Sequence, residues 1–286
     1  MNILSDNRVI LALVIIFAPV LGALIQGLDR KITARIQGRI GPPVMQPIYD
    51  IFKLLAKSPI AVNKAQILYA YLHLAFMILT LLLILMGQDA LMILFVLAFS
   101  TLALVIGGMC VRSPYSRIGS QREIMLMVAY EPILILLVVG IYKLTGSFRV
   151  DSLLAQSEPL MLGLPLVFIA FLAVMAIKLQ KSPFDLATSH HMHQELVKGI
   201  TIEYSGPFLA IIEIAHCYEV AILFTVLSLF WLTNIWIILA LDVAAFMLMI
   251  IIDNAFARLT TMWMFKFMWT IVLGLALTNI IWLYMR

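Results

Sequence analysis

The sequence has 286 residues, of which 64% are hydrophobic and only 12% are charged. Its mean hydropathy of +1.08 is too high for a soluble domain, and its net charge of +4 comes without a basic stripe interleaved with aromatic residues. These values exclude a soluble globular enzyme and a nucleic-acid-binding protein. They indicate a chain that crosses a lipid bilayer several times.

Long apolar runs recur along the whole chain and do not alternate as the strands of a β-barrel do. Such runs predict α-helices, because only a helix satisfies its own backbone polar groups in lipid. We therefore predict an all-α polytopic membrane protein with about eight transmembrane helices in a single membrane domain over residues 1–286. The predicted spans are approximately residues 9–28, 66–87, 90–110, 123–144, 160–179, 205–229, 231–253 and 263–284.

Positive charge is distributed unevenly among the joins between these spans. All of the 19 lysine and arginine residues except Arg8, Lys143, Arg149 and Arg286 fall in the first, third, fifth and seventh joins. The positive-inside rule places these joins in the cytoplasm and both termini outside, which predicts a multi-pass protein of the cytoplasmic membrane. The first and fifth joins, about residues 29–65 and 180–204, are long and polar, as expected of a docking surface for a cytoplasmic partner.

The first join contains a helix breaker followed by an amphipathic pattern. The sequence "GPP" at 41–43 ends the preceding helix. The stretch 47–55 then places four apolar side chains on one face: Ile48, Ile51, Phe52 and Leu55. This pattern predicts a helix lying along the membrane surface, and a simple interfacial anchor explains it as well as a docking role does.

Several acidic residues fall at membrane depth. Glu131 lies in the fourth predicted span, Glu213 and Glu219 lie in the sixth with His216 between them, and Asp242 lies in the seventh. A carboxylate facing lipid costs at least about 2.5–3.5 kcal/mol, so these groups are expected to face the bundle interior or water. In the sixth span the three groups follow one another at steps of about 4.5 Å along one side. They indicate a proton or cation relay, and interhelical ion pairing is the alternative.

The fifth join is the most polar stretch of the chain, "PFDLATSHHMHQELVKGITIEYSG" at residues 183–206. Its histidines His190, His191 and His193 are accompanied by neither a cysteine nor an HExxH pattern, so a solvated loop or a contact with a neighbouring protein is favoured over a metal site. Glu203 stands at the start of the sixth helix and is included in the predicted ion pathway.

The sequence lacks the motifs that indicate a catalytic nucleophile, a bound phosphate or a redox cofactor. Cys110 and Cys217 are far apart and form no CxxC motif, and there is no phosphate-binding loop, nucleophile elbow or haem pair. We therefore predict no catalytic residue, no metal ligand and no redox cofactor in this chain.

Four groups of motifs, in all four polar joins, resemble one known family. They are "PFDL" (183–186) with "QELVKG" (194–199) and "EYSG" (203–206), "DRKITARIQGRIGPP" (29–43) with "YDIFKLLAK" (49–57), "GSQREIMLMVAYEP" (119–132) and, more weakly, "ARLTTMWMFKF" (257–267). They resemble the H subunit of respiratory Complex I and its hydrogenase relatives, over nearly the whole chain.

Three departures separate the chain from the quinone-reducing members of that family. The run "GPPVMQPIYD" is short, "ATSHHMHQ" (187–194) is rich in histidine, and Thr260 and Thr261 stand where an Asp-Gln pair is usual. The chain is therefore most similar to the B subunit of Ech-type energy-converting NiFe hydrogenases. The membrane subunit of formate hydrogenlyase is a near relative.

The resemblance implies a membrane-anchor and ion-translocation coupling subunit of a complex that passes electrons from ferredoxin to protons and moves H⁺ or Na⁺. The NiFe centre and the iron–sulfur clusters would belong to partners, namely the hydrogenase large and small subunits and a ferredoxin-like iron–sulfur subunit. An antiporter-like membrane subunit would lie alongside. The alternatives are the H subunit of a Complex I-like NADH/quinone oxidoreductase, a formate hydrogenlyase subunit, or a purely structural anchor.

The resemblance also implies roles for individual residues. Glu131 and Glu203 match an axis of charged residues, which Glu213, His216, Glu219 and Asp242 would extend. Asp185, with Glu195 and the three histidines, would form a junction loop facing the soluble arm. The residues expected to dock that arm are Arg30, Arg35, Arg39, Asp50 and Lys53.

Overall fold

The structure, a computed structural model, describes residues 8–60, 62–154, 156, 158–185 and 198–285. These residues form helices and connecting loops, and no β-strand occurs among them. The α-helices are α1 (Arg8–Ile36), α2 (Gln46–Leu55), α3 (Lys64–Leu85), α4 (Ala90–Met109), α5 (Pro114–Thr145), α6 (Asp151–Leu154), α7 (Leu160–Gly163), α8 (Pro165–Lys178), α9 (Pro207–Ser228), α10 (Ile235–Ala255), α11 (Thr261–Phe267) and α12 (Leu273–Met285). A 3₁₀ turn precedes α9 at Gly199–Thr201, and a π-helical turn joins α11 to α12 at Met268–Val272.

The predicted all-α membrane fold is confirmed. Among the described residues, seven helices are long and apolar enough to cross a membrane, and the last of them runs continuously over Thr261–Met285. The fifth predicted span, residues 160–179, is divided between α7 and the 14-residue α8. At 1.5 Å per residue α8 rises only about 21 Å, so this segment is shorter than a standard span.

The break between α7 and α8 is stabilised by a single side chain from α12. Asn279 accepts hydrogen bonds on Oδ1 from the backbone N–H groups of Leu166 (2.8 Å) and Val167 (3.2 Å). Its Nδ2 donates to the carbonyl oxygen of Gly163 at 3.2 Å. Unpaired backbone groups are costly in lipid, so this buried side chain makes the interruption tolerable at membrane depth.

Two helices are longer at the polar end of the bundle than the apolar pattern predicts. α1 continues to Ile36 beyond the predicted end at 28, and α5 begins at Pro114, nine residues before the predicted start at 123. Both extensions consist of polar, helix-compatible sequence. α5 begins at the proline of "SP" (113–114), as such a breaker predicts. α1 ends before "GPP" is reached, at a turn that contains Gly38 with a φ of +74°, so the prediction that "GPP" ends this helix is wrong. The sixth predicted span agrees with α9, which begins at Pro207. The placement of Glu203 at the start of that helix is wrong, because Glu203 lies in the preceding loop.

The surface helix α2 has the predicted amphipathic character. It packs against α1 and α9, while Tyr49, Phe52 and Leu55 remain exposed. The polar end of the bundle, where α2 lies, also contains the ends of α1 and α10, the start of α9 and the loop that follows α8.

The bundle core is formed by the middle helices. α3 packs along α4, and α9 packs against α1 and α3. Gly22 permits the close approach of α1 to α9, since a Cβ there would collide with the carbonyl group of Cys217. Gly119 likewise lets the 3₁₀ turn lie directly on α5, because a Cβ would meet the backbone of Ile200. These contacts hold the residues that lead into α9 against the bundle.

Candidate functional site: a charged cavity

A cavity of about 520 Å³ runs from the polar end of the bundle into its interior. Exposed residues, including Arg30 and Lys198, line one end, which we call the mouth. Buried residues, including His73 and Lys178, line the other, which we call the inner end. The titratable side chains along it are Asp29, Arg30, Arg39, His73, Glu123, Tyr130, Lys178, Lys181, Asp185, Lys198, Glu213, His216, Glu219 and Asp253.

The inner end is organised around Lys178, the last residue of α8. Its ammonium group lies 3.0 Å from Oε1 of Glu219, donates to the hydroxyl of Thr101 at 2.9 Å, and stands 4.8 Å from the ring centre of Tyr130. Only 5% of Lys178 is exposed. A buried ammonium needs such partners, and the C-terminus of α8 adds a favourable helix-dipole field. Four helices thus meet at one buried charge.

Two histidines flank this ion pair. Nδ1 of His216 lies 3.3 Å from Oε2 of Glu219, so the glutamate is shared between an imidazole and an ammonium. Nδ1 of His73 lies 2.8 Å from the hydroxyl and 2.9 Å from the carbonyl oxygen of Ser100, which fixes the ring at the cavity wall. Glu219 is thus within 3.3 Å of an imidazole nitrogen and 3.0 Å of an ammonium group, and His73 is held 2.8 Å from a hydroxyl. Proton transfer takes place over heavy-atom distances of about 3 Å or through one bridging water.

The mouth contains a second lysine-centred cluster. Lys181 forms ion pairs with Asp29, two turns before the end of α1, and with Asp253 at the end of α10, the latter at 3.3 Å. The backbone N–H of Ser182 donates to Oδ1 of Asp253 at 2.9 Å. The loop after α8 is thereby tied to α1 and α10 at once.

Asp185 lies beside this cluster and faces Arg258 across 3.9 Å. Burial raises the pKa of the Asp185 carboxyl to about 6, although the positive charge of Arg258 acts in the opposite direction. Asp253 adds a further upward effect on the same pKa. Asp185 can therefore change its charge near neutral pH at the entrance to the cavity.

The cavity unites part of the predicted site. Asp185, Glu213, His216 and Glu219 line it, as do two of the predicted docking residues, Arg30 and Arg39. Arg30 also pairs with Asp50 at 3.5 Å. Their roles in ion transfer and docking stay predictions.

Other predicted residues lie elsewhere. The cavity formed by the described residues is not lined by Glu131, Glu203, Asp242, Arg35, Asp50 or Lys53. Glu131 and Asp242 are partly buried in α5 and α10, and Glu203 is partly exposed in the loop before α9. His190, His191, His193 and Glu195 lie outside the described residues. Among those that are described, no three His, Cys, Asp or Glu side chains gather as a metal site, and Cys110 and Cys217 are free thiols.

Sequence reasoning missed Lys178, Glu123, Thr101 and His73, all of which line the cavity. Lys178 stands at a helix end, where a lysine is usually explained by membrane orientation. Glu123 offered a usable signal, since it lies seven residues, or two turns, before Tyr130 and hence on the same face of α5.

Comparison with known proteins shows the family. The NADH dehydrogenase family matches residues 9–284 of the chain. The chain is 30% identical to the H subunit of NADH-quinone oxidoreductase from Bacillus cytotoxicus, over 94% of this chain and 91% of the relative. Identity to the corresponding protein of Bacillus cereus is also 30%, with the same coverage.

A solved structure matches the fold closely. It is a chain of the membrane-bound sulfane sulfur reductase, an archaeal respiratory membrane complex, with a TM-score of 0.86 and 26% identity over 95% of this chain and 97% of the other. The chain therefore belongs to the NADH dehydrogenase family, as a membrane component homologous to the H subunit of Complex I-like oxidoreductases.

Proposed function

We propose that this chain couples electron transfer in a soluble arm to ion translocation through the membrane. The observation that carries the proposal is the charged cavity, which connects the polar end of the bundle to the buried group of Lys178, Glu219 and His216. A purely structural anchor gains nothing from these charges. Burying an ion pair in place of apolar residues is often neutral or unfavourable for stability.

The cavity suggests how the coupling would work. A change of charge near the mouth, for example at Asp185, alters the field inside a space with apolar surroundings, where charges interact more strongly than in water. The shared position of Glu219 between Lys178 and His216 then lets a proton or cation at the inner end be gained or released in response. In this proposal the chain lies in the cell membrane and the polar end of the bundle faces the cytoplasm. The soluble arm docks at that end through Arg30, Arg35, Arg39, Asp50 and Lys53.

We further propose that the arm is that of an energy-converting NiFe hydrogenase of the Ech type. The short first join, the histidine-rich stretch 187–194, and Thr260 with Thr261 support this branch. The NiFe centre and iron–sulfur clusters would then be held by the hydrogenase large and small subunits and a ferredoxin-like subunit. An antiporter-like subunit would complete the membrane part. The similarity to the H subunit of NADH-quinone oxidoreductase makes a quinone-reducing complex the alternative.

The assignment to the hydrogenase branch of the family can be tested by purification. The complex is purified from native membranes in mild detergent, and its subunits are identified by mass spectrometry. Hydrogenase and iron–sulfur subunits together with ferredoxin-dependent hydrogen evolution would support it. NADH- or quinone-linked subunits would assign the chain to the quinone-reducing branch instead.

The coupling role is tested by Glu219→Gln in sealed vesicles that contain the assembled complex. We expect the number of ions moved per electron pair to fall at least tenfold, because the amide cannot exchange a proton with His216. Glu158→Gln is a matched control, since Glu158 is exposed and lies outside the cavity. A wild-type ratio in Glu219→Gln would contradict the coupling role.

A further inference from the structure

One stripe of α10 follows the cavity wall and then continues beyond it. Asp253, Met249 and Phe246 line the cavity at successive turns of the helix. Asp242 comes four residues before Phe246 in the chain, on the same stripe and about 6 Å further from the mouth. It lies outside the cavity that the described residues form.

An aromatic pair lines the cavity one turn of α10 away from Asp242. Phe224 of α9 and Phe246 of α10 both line the cavity, and their ring centres lie 6.4 Å apart at an interplanar angle of 60°. Two rings in contact across a helix pair leave little room for a chain of water molecules. Apolar constrictions of this kind close membrane channels by excluding water.

Asp242 itself has an unusual environment. Its Oδ1 atom is buried, and among the described residues it has no hydrogen-bond partner. Such a group is costly inside a membrane protein, which calls for a function or for a partner not contained in this chain. α10 is one of the two least buried spans, since only 17% of its most apolar segment is buried inside the bundle. Val243, the residue next to Asp242, is 56% exposed. Asp242 therefore lies at the boundary between the bundle interior and its lateral surface.

From this geometry we infer that Phe224 and Phe246 form a hydrophobic gate and that Asp242 is the proton acceptor on its far side. The inference rests on the proposed coupling role. When the rings separate, water connects the cavity to Asp242, and a proton breaks its bond to a cavity water and forms an O–H bond on the carboxylate. Asp242 then releases it laterally to a base of a neighbouring membrane subunit. The step transfers a proton and no electron.

The acceptor role is tested in sealed vesicles by measuring protons moved per electron pair with a pH-sensitive dye. Asp242→Asn is expected to lower this ratio at least tenfold, because an amide cannot accept and release the proton. Asp242→Glu should restore most of it. Val243→Thr is the matched control, since it alters the outward-facing neighbour and should keep the wild-type ratio. A wild-type ratio in Asp242→Asn, or transport of Na⁺ without protons, would overturn the inference.

The gate is tested without electron transfer, through the passive proton leak of the same vesicles. Phe246→Ala should raise the leak several-fold, because water then reaches Asp242. Phe99→Ala removes a ring from another aromatic pair, Phe76–Phe99 at 6.1 Å, which does not line the cavity, and should not change the leak. If the complex does not accumulate with Phe246→Ala, Phe246→Leu should give a smaller but measurable increase. A wild-type leak in whichever of the two assembles would refute the gate.

These outcomes separate the inference from the proposed function. If Glu219→Gln abolishes translocation and Asp242→Asn does not, the cavity conducts and the exit lies elsewhere. If both variants translocate normally, the coupling role itself has failed.

Discussion

The mouth and the inner end of the cavity both contain a lysine paired with carboxylates, but the two clusters differ in their exposure to solvent. At both ends a lysine faces carboxylates, Lys181 with Asp29 and Asp253, and Lys178 with Glu219. The side chain of Lys178 is 3% exposed, whereas those of the mouth cluster are 15–25% exposed. Water replaces a lost partner more readily at the mouth than at the more deeply buried inner end. The mouth cluster therefore has the character of a structural tie between loop and helices, and in the proposed coupling role the inner cluster is the one that takes part in charge transfer.

The largest expected effect of any substitution is that of Lys178→Met. Removing one member of a buried ion pair costs about 3–5 kcal/mol, because the carboxylate of Glu219 is left uncompensated. We expect a clearly lower thermal unfolding temperature of the detergent-solubilised complex, and a much smaller decrease for the matched change Lys181→Met at the mouth. Equal losses in the two variants would show that the two ends do not differ in solvation.

The double variant Lys178→Met/Glu219→Leu sharpens this comparison. Replacing a buried pair by apolar residues of similar size is often tolerated, so stability should recover relative to Lys178→Met. Ion translocation should not recover, because the exchangeable groups are gone. Recovery of both properties would argue that the inner cluster is a structural pair like that at the mouth.

An intermediate effect is expected at Asp185, and it depends on pH. The folded chain holds this carboxyl at a pKa of about 6 against an ordinary value of 3.8, so between these values the folded state binds more protons than the unfolded state. The contribution of Asp185 to stability is therefore most favourable at low pH and is lost as the pH rises through 6.

Asp185→Asn removes this dependence. Its unfolding temperature relative to wild type should therefore increase between pH 4.5 and pH 7.5. The same pH series on Glu158→Gln provides the control, because Glu158 is exposed. A difference between Asp185→Asn and wild type that does not vary with pH would show that the carboxyl titrates as it does in water.

Much of the fold was predictable because a bilayer leaves few choices. An apolar run such as that of α4 has to be a helix of membrane length, and the breaker "SP" fixes where α5 begins. The end of α1 is set instead by Gly38, which has a φ of +74°. The division of the fifth span was not predictable, because it depends on Asn279, more than a hundred residues away. Pro165 marks the start of α8 and is the local signal of this division in the sequence.

From spacing alone the site was predictable only on the helix where its residues are close in sequence, whereas Asp185, Arg30 and Arg39 were identified through the family motifs. Glu213, His216 and Glu219 share one side of α9 by spacing alone, and all three line the cavity. Lys178 and Thr101 are 77 residues apart, and periodicity identifies the face of a helix without identifying the helix it meets. Long-range pairing of this kind is decided by tertiary packing, so the centre of the inner cluster could not be derived from the pattern of the sequence.

The smallest effect is expected at the pair of Arg30 with Asp50, which lies outside both clusters at the polar end. Their side chains are 44% and 45% exposed and stand 3.5 Å apart. Exposed pairs contribute about 0.2–1 kcal/mol and are screened by salt, so Asp50→Asn should shift the unfolding temperature little, and less still at high ionic strength. Gln46 donates to Asp50 at 2.8 Å and can equally donate to the amide oxygen, which preserves the local structure of α2.

The same variant also tests the docking surface. If Asp50→Asn causes the soluble arm to dissociate while the isolated chain melts normally, the pair belongs to the docking surface and acts through the partner. An unchanged complex would remove Asp50 from the predicted docking residues and leave Arg30 to act within the mouth of the cavity, which it lines.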